Sequence, residues 1–173
     1  MDSIAVNIPV LLLVGLPQSF LTMLALHLFT ETKINVKKYI ILSVSFIFIA
    51  YLIRFLPIAI GVNTVLTFLA VIIAFQFAYK QQLSKVIRTI VATVVSFLMI
   101  SVSEVMNMLM WSAVYDRQKA MELIYSSDDL VKGLISAPSN IFFAVFIIIG
   151  YLVLKQFNKR KNRNGEDGPT TGP

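Results

Sequence analysis

The sequence predicts an all-α fold: a polytopic integral membrane helix bundle of about five transmembrane helices, with the N-terminus outside and the C-terminus cytoplasmic. Three observations carry that prediction. First, 57% of the 173 residues are hydrophobic and only 14% are charged, against about 25% charge in soluble domains. Second, the apolar residues come in blocks of ~20, the length a helix needs to cross the hydrocarbon core, and mean hydropathy is +0.80. Third, Lys and Arg fall into alternating connections between the blocks. This is the pattern that orients membrane helices, because cytoplasmic loops collect positive charge.

The predicted spans are residues 4–29, 39–57, 62–79, 86–111 and 139–157, within a transmembrane helical domain over 1–158. The first holds Pro9, Gly15 and Pro17, which would break a soluble helix. A membrane helix tolerates them because neighbours satisfy the freed carbonyls. Tyr39, Tyr79, Trp111 and Phe157 stand near span ends, as in an interfacial aromatic belt. With the N-terminus outside, the cytoplasmic side receives eleven cations: Lys33, Lys37 and Lys38; Lys80, Lys85 and Arg88; and Lys155, Lys159, Arg160, Lys161 and Arg163. The outer side receives four, Arg54, Arg117, Lys119 and Lys132, and offsets them with Asp116, Glu122, Asp128 and Asp129.

The outer loop 112–138 is long enough for structure of its own. Val114, Met121, Ile124 and Tyr125 lie near one helical stripe, which suits either a short amphipathic helix on the outer leaflet or an ordinary connector. Ser136-Ala137-Pro138 is a helix-start signal for the fifth span. The cytoplasmic tail 159–173 is basic at first, then a disordered stretch of Gly, Pro, Thr and acid.

Arg54 is a lone cation in the apolar run Leu52-Ile53-Arg54-Phe55-Leu56. It lies roughly 22 Å above Tyr39 at 1.5 Å per residue, and Glu104 lies roughly 24 Å above Arg88 on the same rise. Equal depth suggests a pair, since ionisable residues in the membrane usually face the bundle and find partners. Snorkelling of Arg54 to the outer headgroups and contact with a ligand's charged group are the other readings. Ser101, Glu104, Asn107 and Met108 make a polar stripe on the fourth helix, flanked by Ser103. Such stripes serve as interhelical glue or as a binding face. Ala70, Ala74 and Ala78 repeat at the small-xxx-small spacing that lets helices approach closely. Gly15-Leu16-Pro17-Gln18-Ser19 sets a kink and polar side chains at membrane depth, either a bend satisfied by neighbours or a hinge or ligand position.

His27 is the one histidine and reads as interfacial. With no cysteine and no second histidine, a metal site and a disulfide are not expected. None of the common phosphate-loop, zinc-protease or serine-hydrolase motifs is present. No catalytic residue, cofactor or nucleic-acid partner is therefore assigned, and an enzyme is not expected.

The order of several motifs resembles a known family. Gly15-Leu16-Pro17 is followed by Ile34-Asn35-Val36-Lys37-Lys38, Tyr51-Leu52-Ile53-Arg54-Phe55-Leu56-Pro57 and Gly61-Val62-Asn63-Thr64-Val65-Leu66. Ser101-Val102-Ser103-Glu104 and Ala137-Pro138-Ser139-Asn140 complete the series. Together, over roughly residues 8–158, they resemble the membrane sensor region of accessory-gene-regulator-type (quorum-sensing) histidine kinases of Gram-positive bacteria. The resemblance implies a multi-pass protein of the plasma membrane that takes part in two-component signal transduction. It also implies an extracellular peptide or other signal, and a histidine kinase or a second copy of the chain as partner beside the lipid bilayer. The sequence departs from the family after Lys159, where no phosphoacceptor helix or ATP-binding domain follows, so the expected role is that of a kinase-less sensor or regulator. The alternative is a small membrane subunit of a transporter or cell-envelope complex. A ligand is expected between the outer ends of the second, third and fourth helices and loop 112–138. Arg54, Glu104, Asn107, Ser101 and Trp111 form its polar cluster, and Phe55 and Met108 provide apolar walls.

Overall fold

A computed structural model describes residues 8–54, 56, 60–80 and 83–166, with the side chains of residues 54, 60, 61, 83, 84 and 161–166 outside the description. Among the described residues every regular element is a helix, and there is no strand. We label the helices α1 (Ile8–Thr30), α2 (Val36–Arg54), α3 (Ile60–Tyr79), α4 (Leu83–Val114), α5 (Arg117–Ile124), α6 (Asp129–Ser136) and α7 (Pro138–Glu166). Five segments are long and apolar enough to cross a membrane: Ile8–Thr30, Val36–Ile53, Val62–Tyr79, Lys85–Val114 and Asp129–Arg160.

The bundle is turned inside out relative to a soluble one. Large apolar side chains point outward: Phe77 is 81% exposed, Ile87 70%, Ile141 67% and Phe48 66%. In water so much apolar surface would drive aggregation; in lipid it is solvated. The interior instead holds small polar residues, with Ser43, Thr89, Thr93 and Ser96 fully buried. Each of the four donates its hydroxyl to a carbonyl one turn earlier in its own helix. No polar group is stranded there, and the small side chains let the backbones come close. Met23, Leu26, Leu42, Phe46, Val71, Phe75 and Ala92 form the apolar core between α1, α2, α3 and α4. A second cluster of Ala25, Phe143 and Ile147 seats α7 against α1. Ala74 and Ala78 pack on the first core, so that face of α3 is used within the chain.

Helix ends follow the sequence with some shifts. The second span begins at Val36 rather than 39, and the fourth runs from Leu83 to Val114 rather than over 86–111. At 32 residues, α4 is roughly 48 Å long, more than the ~30 Å hydrocarbon core requires. Its last turns pack against the connection to α7, where Asn107 and Trp111 reach Ile135. The last helix also outruns its predicted span 139–157, continuing through the basic residues to Glu166. Residues 167–173, the remainder of the tail, lie outside the described residues.

Loop 112–138 is neither a connector nor a single amphipathic helix. It is a hairpin of two capped helices. Asp116 caps α5 by accepting from Gln118 N (2.9 Å), and Asp128 caps α6 by accepting from Leu130 N (2.9 Å) and Val131 N (3.2 Å). The expected stripe is only partly used. Val114 and Tyr125 remain 63% and 72% exposed, while fully buried Ala120 is what docks α5. Gly133 docks α6: a Cβ there would meet Leu13 Cδ1 at 3.1 Å and the Pro9 backbone at 3.3 Å. Backbone cannot yield as a flexible side chain can, so Gly133→Val is expected to lift α6 from α1. Proteolysis within residues 115–137 should quicken, while the five long helices keep their far-UV dichroism.

Candidate functional site

The kink predicted in α1 is a π-helical turn. Residues Leu11–Gly15 are wound more widely than an α-helix, with Leu16 N donating to Leu11 O five residues back. Such turns are rare and cluster at functional sites. Two residues on, Pro17 has no N–H to donate to Leu13 O. Asn140, at the start of α7, takes its place: its Nδ2 donates to Leu13 O at 3.3 Å and Val14 O at 3.4 Å.

The same turn also lines a partly open cavity of about 420 Å³ between α1, α2, α3 and α4. Its apolar wall includes Leu11, Val14, Phe46, Ile47, Phe97 and Ile100. Its polar wall includes Gln18, Ser19 and Thr22 of α1, Thr67 of α3, and Ser101 and Glu104 of α4. Most of these belong to the half of each helix remote from the basic connections, with Thr22 and Phe97 just past the middle. Below them the Met23–Phe75 core closes the bundle. The volume falls within the range of small-molecule pockets, about 300–1,000 Å³.

The predicted site residues separate into two places. Ser101 and Glu104 line the cavity. Asn107 and Trp111, one and two turns further along α4, are turned away to the hairpin: Asn107 Nδ2 (3.0 Å) and Trp111 Nε1 (2.8 Å) both donate to Ile135 O. They hold the last turn of α6 in place. Asn107 Oδ1 is buried without a protein partner. Met108 follows the same turn of α4 and is absent from the cavity wall. Arg54 ends α2, but its side chain, and residues 55 and 57, lie outside the described residues, as does the expected pairing of Arg54 with Glu104.

At the basic end the structure places a polar clamp that the sequence reading missed. His27, in the last turn of α1, is buried within the bundle at 1% exposed. Its Nδ1 lies 2.6 Å from Met23 O, so that nitrogen carries the proton, and Nε2 accepts from the Tyr79 hydroxyl at 2.7 Å. The rings of Phe75, Tyr79 and Tyr39 stand edge-on around the imidazole at 5.1, 4.9 and 5.8 Å. Tyr39 donates to Phe20 O (2.9 Å), while Lys38 Nζ donates to Ala78 O (2.8 Å) and lies over the Tyr79 ring. The first three spans are thus tied together below the cavity. The available signal was His27 and Tyr79 falling near the basic ends of the first and third spans. Tyr79→Phe leaves Nε2 without its donor and is expected to lower stability by about 1 kcal/mol, read from unfolding in mixed micelles.

A surface triad closes the same end. Arg88 Nη2 pairs with Glu31 Oε1 at 2.8 Å, Arg88 Nε donates to Phe29 O at 3.1 Å, and Asn158 Nδ2 donates to the same Glu31 oxygen. Both charged side chains are nearly half exposed, so the pair adds little stability. Its effect is to join the connection after α1 to α4 and α7. Among the described residues, no group of His, Asp and Glu could hold a metal ion. No family model, curated protein or solved structure matches the chain.

Proposed function

We propose that the protein is a membrane sensor or regulator of bacterial two-component signalling, one that receives a small extracellular ligand in the α1–α4 cavity and modulates a partner histidine kinase. The observation that carries the reading is the cavity itself. It is a pocket of small-molecule size lined by both apolar and polar side chains, built on a π-helical turn and set mostly in the half of the bundle away from the basic loops. By the positive-inside rule that half faces outward, as a receptor for external signals requires. The membrane is then the plasma membrane. A route for output also exists. Helix α7 packs on both α1 and α4, which line the cavity, and continues past the apolar region through Lys155, Lys159 and Arg160. The cavity's size favours a small ligand, or the end of a peptide, over a whole folded peptide.

The test is a tagged full-length chain purified from native membranes in mild detergent, with its partner identified and assayed. A histidine kinase whose autophosphorylation changes on addition of the chain supports the proposal. Ser101→Trp, which fills the cavity, should keep the partner and lose the response to signal. Association with a transport ATPase or an envelope-assembly complex, and with no kinase, would overturn the reading in favour of a structural subunit. The chain contains no cysteine, so orientation can be read from single cysteines. A cysteine placed at Gln118 should react with a membrane-impermeant maleimide on intact cells, and one placed at Arg160 should not.

A further inference from the structure

The cations at the basic end of the bundle differ in how they are engaged. Arg88 is held by Glu31 and Phe29 O, and Lys38 by Ala78 O and the face of Tyr79. Lys155 and Lys159 of α7 are exposed, and among the described residues neither side chain makes an ion pair or a hydrogen bond. They stand four residues apart, on one face of the helix, with Cβ atoms about 6 Å from each other. Like charges so placed repel and weaken the helix unless an anion lies between them. Residues 155–160 are all exposed, and Glu31, which reaches Asn158 on this stretch of α7, is committed to Arg88. Toward the membrane the same side of α7 is apolar. Ile149, Leu152 and Val153 are each about half exposed, and with Lys155, Gln156 and Lys159 they line an open hollow of about 400 Å³. The hollow thus passes from apolar to cationic lining over roughly 15 Å of helix.

We propose that this hollow binds one anionic phospholipid of the cytoplasmic leaflet, with its phosphate between Lys155 and Lys159 and an acyl chain on Ile149, Leu152 and Val153. Apolar surface and positive charge follow one another along α7 in the order in which tail and headgroup follow one another along a lipid, and the positive-inside rule sets this end in the inner leaflet. A free phosphate would meet the lysines and leave the apolar part of the hollow unused. A zwitterionic lipid would bring a cation of its own to the two ammonium groups. Basic segments beside a spanning helix attract anionic lipid in general; here two unengaged cations adjoin an apolar hollow, which makes a site of one lipid's shape. The site is separate from the α1–α4 cavity and does not rest on the ligand-sensing role.

The test is native mass spectrometry of the full chain in detergent micelles, titrated with phosphatidylglycerol or with phosphatidylcholine of the same acyl chains. The first phosphatidylglycerol should bind about tenfold or more tighter than phosphatidylcholine. Lys155→Gln combined with Lys159→Gln should abolish that preference. Gln156→Glu, which sets a carboxylate in the same lining, should abolish it too, and serves if far-UV dichroism shows that the double variant fails to fold. Lys155→Arg with Lys159→Arg should retain the preference, and so should Lys33→Gln with Lys37→Gln, which removes equal charge from the same side of the membrane. A preference lost in the Lys33 and Lys37 variant would reveal diffuse attraction and overturn the site. A preference kept in both Gln156→Glu and the Lys155 and Lys159 glutamine variant would place the lipid elsewhere and overturn it as well. Equal binding of the two lipids by the unaltered chain would refute the lipid and leave an acidic partner protein as the occupant of α7. Displacement of phosphatidylglycerol by millimolar glycerol 3-phosphate would mean that the lysines hold a bare phosphate, and the lipid assignment would fall.

Discussion

Asn140→Leu is expected to destabilise the bundle by about 2 kcal/mol, and Pro17→Ala to restore part of that loss. The physical reason lies in one carbonyl. Pro17 cannot donate to Leu13 O, and lipid offers no water to do so instead. Asn140 Nδ2 is the donor that reaches Leu13 O and Val14 O. Leucine matches the volume of asparagine closely enough to fill the space but leaves Leu13 O short of a partner in an apolar setting, a cost of about 1–3 kcal/mol. Alanine at position 17 supplies a backbone N–H of its own and allows the π turn to tighten into α-helix, so the second change removes the need for Asn140. The measurement is a double-mutant cycle on unfolding in mixed micelles, with a coupling of about 1 kcal/mol expected. Strictly additive effects would mean that Asn140 does not serve the proline gap. The same pair should bear on the cavity, because Val14 and Gly15 lie in its wall.

The second large effect belongs to Gly150, in the middle of α7. A Cβ there would sit 2.8 Å from Met99 Cε and 3.2 Å from Phe29 Cζ. For Gly150→Ala the flexible Met99 side chain can swing away, leaving only a few tenths of an ångström for the Phe29 ring to absorb, and the cost should stay near 1 kcal/mol. Gly150→Leu has no such escape. It wedges α7 away from α4 and α1, and overpacking on that scale costs about 3 kcal/mol, or roughly 10 °C in thermal midpoint for a chain of this size. If the proposed output route through α7 is right, the same variant should keep ligand binding in the cavity while uncoupling it from the partner. Binding lost together with stability would argue that α7 shapes the cavity rather than reading it.

Much of the fold was legible in the sequence because lipid imposes a strict rule. A spanning segment must satisfy its own backbone, so a block of ~20 apolar residues is a helix with few alternatives. Ser136-Ala137-Pro138, which does open α7, was a local signal of the kind sequence carries well. The polar stripe on α4 was also legible as a stripe, but its division was not. Ser101 and Glu104 turn to the cavity, while Asn107 and Trp111, on the next turns, reach Ile135 O. That division depends on where the α5–α6 hairpin docks, and the docking depends on Gly133 touching the Pro9 backbone across more than a hundred residues of chain. The burial of His27 was hidden for a similar reason: its partner, Tyr79, stands on another span.

From the order of its residues alone, this chain was bound to be a membrane bundle with most of its cations on one side, because hydropathy and loop charge act locally and need no knowledge of packing. Which side chains meet was a matter of three dimensions. Asn140 completing the carbonyl that Pro17 leaves open, His27 closing on Tyr79, and four helices leaving a cavity between them arise only when helices distant in sequence are set at definite rotations. In lipid, where apolar surface has little preference among neighbours, those rotations are fixed by a few close backbone approaches and polar bonds rather than by the hydrophobic pattern.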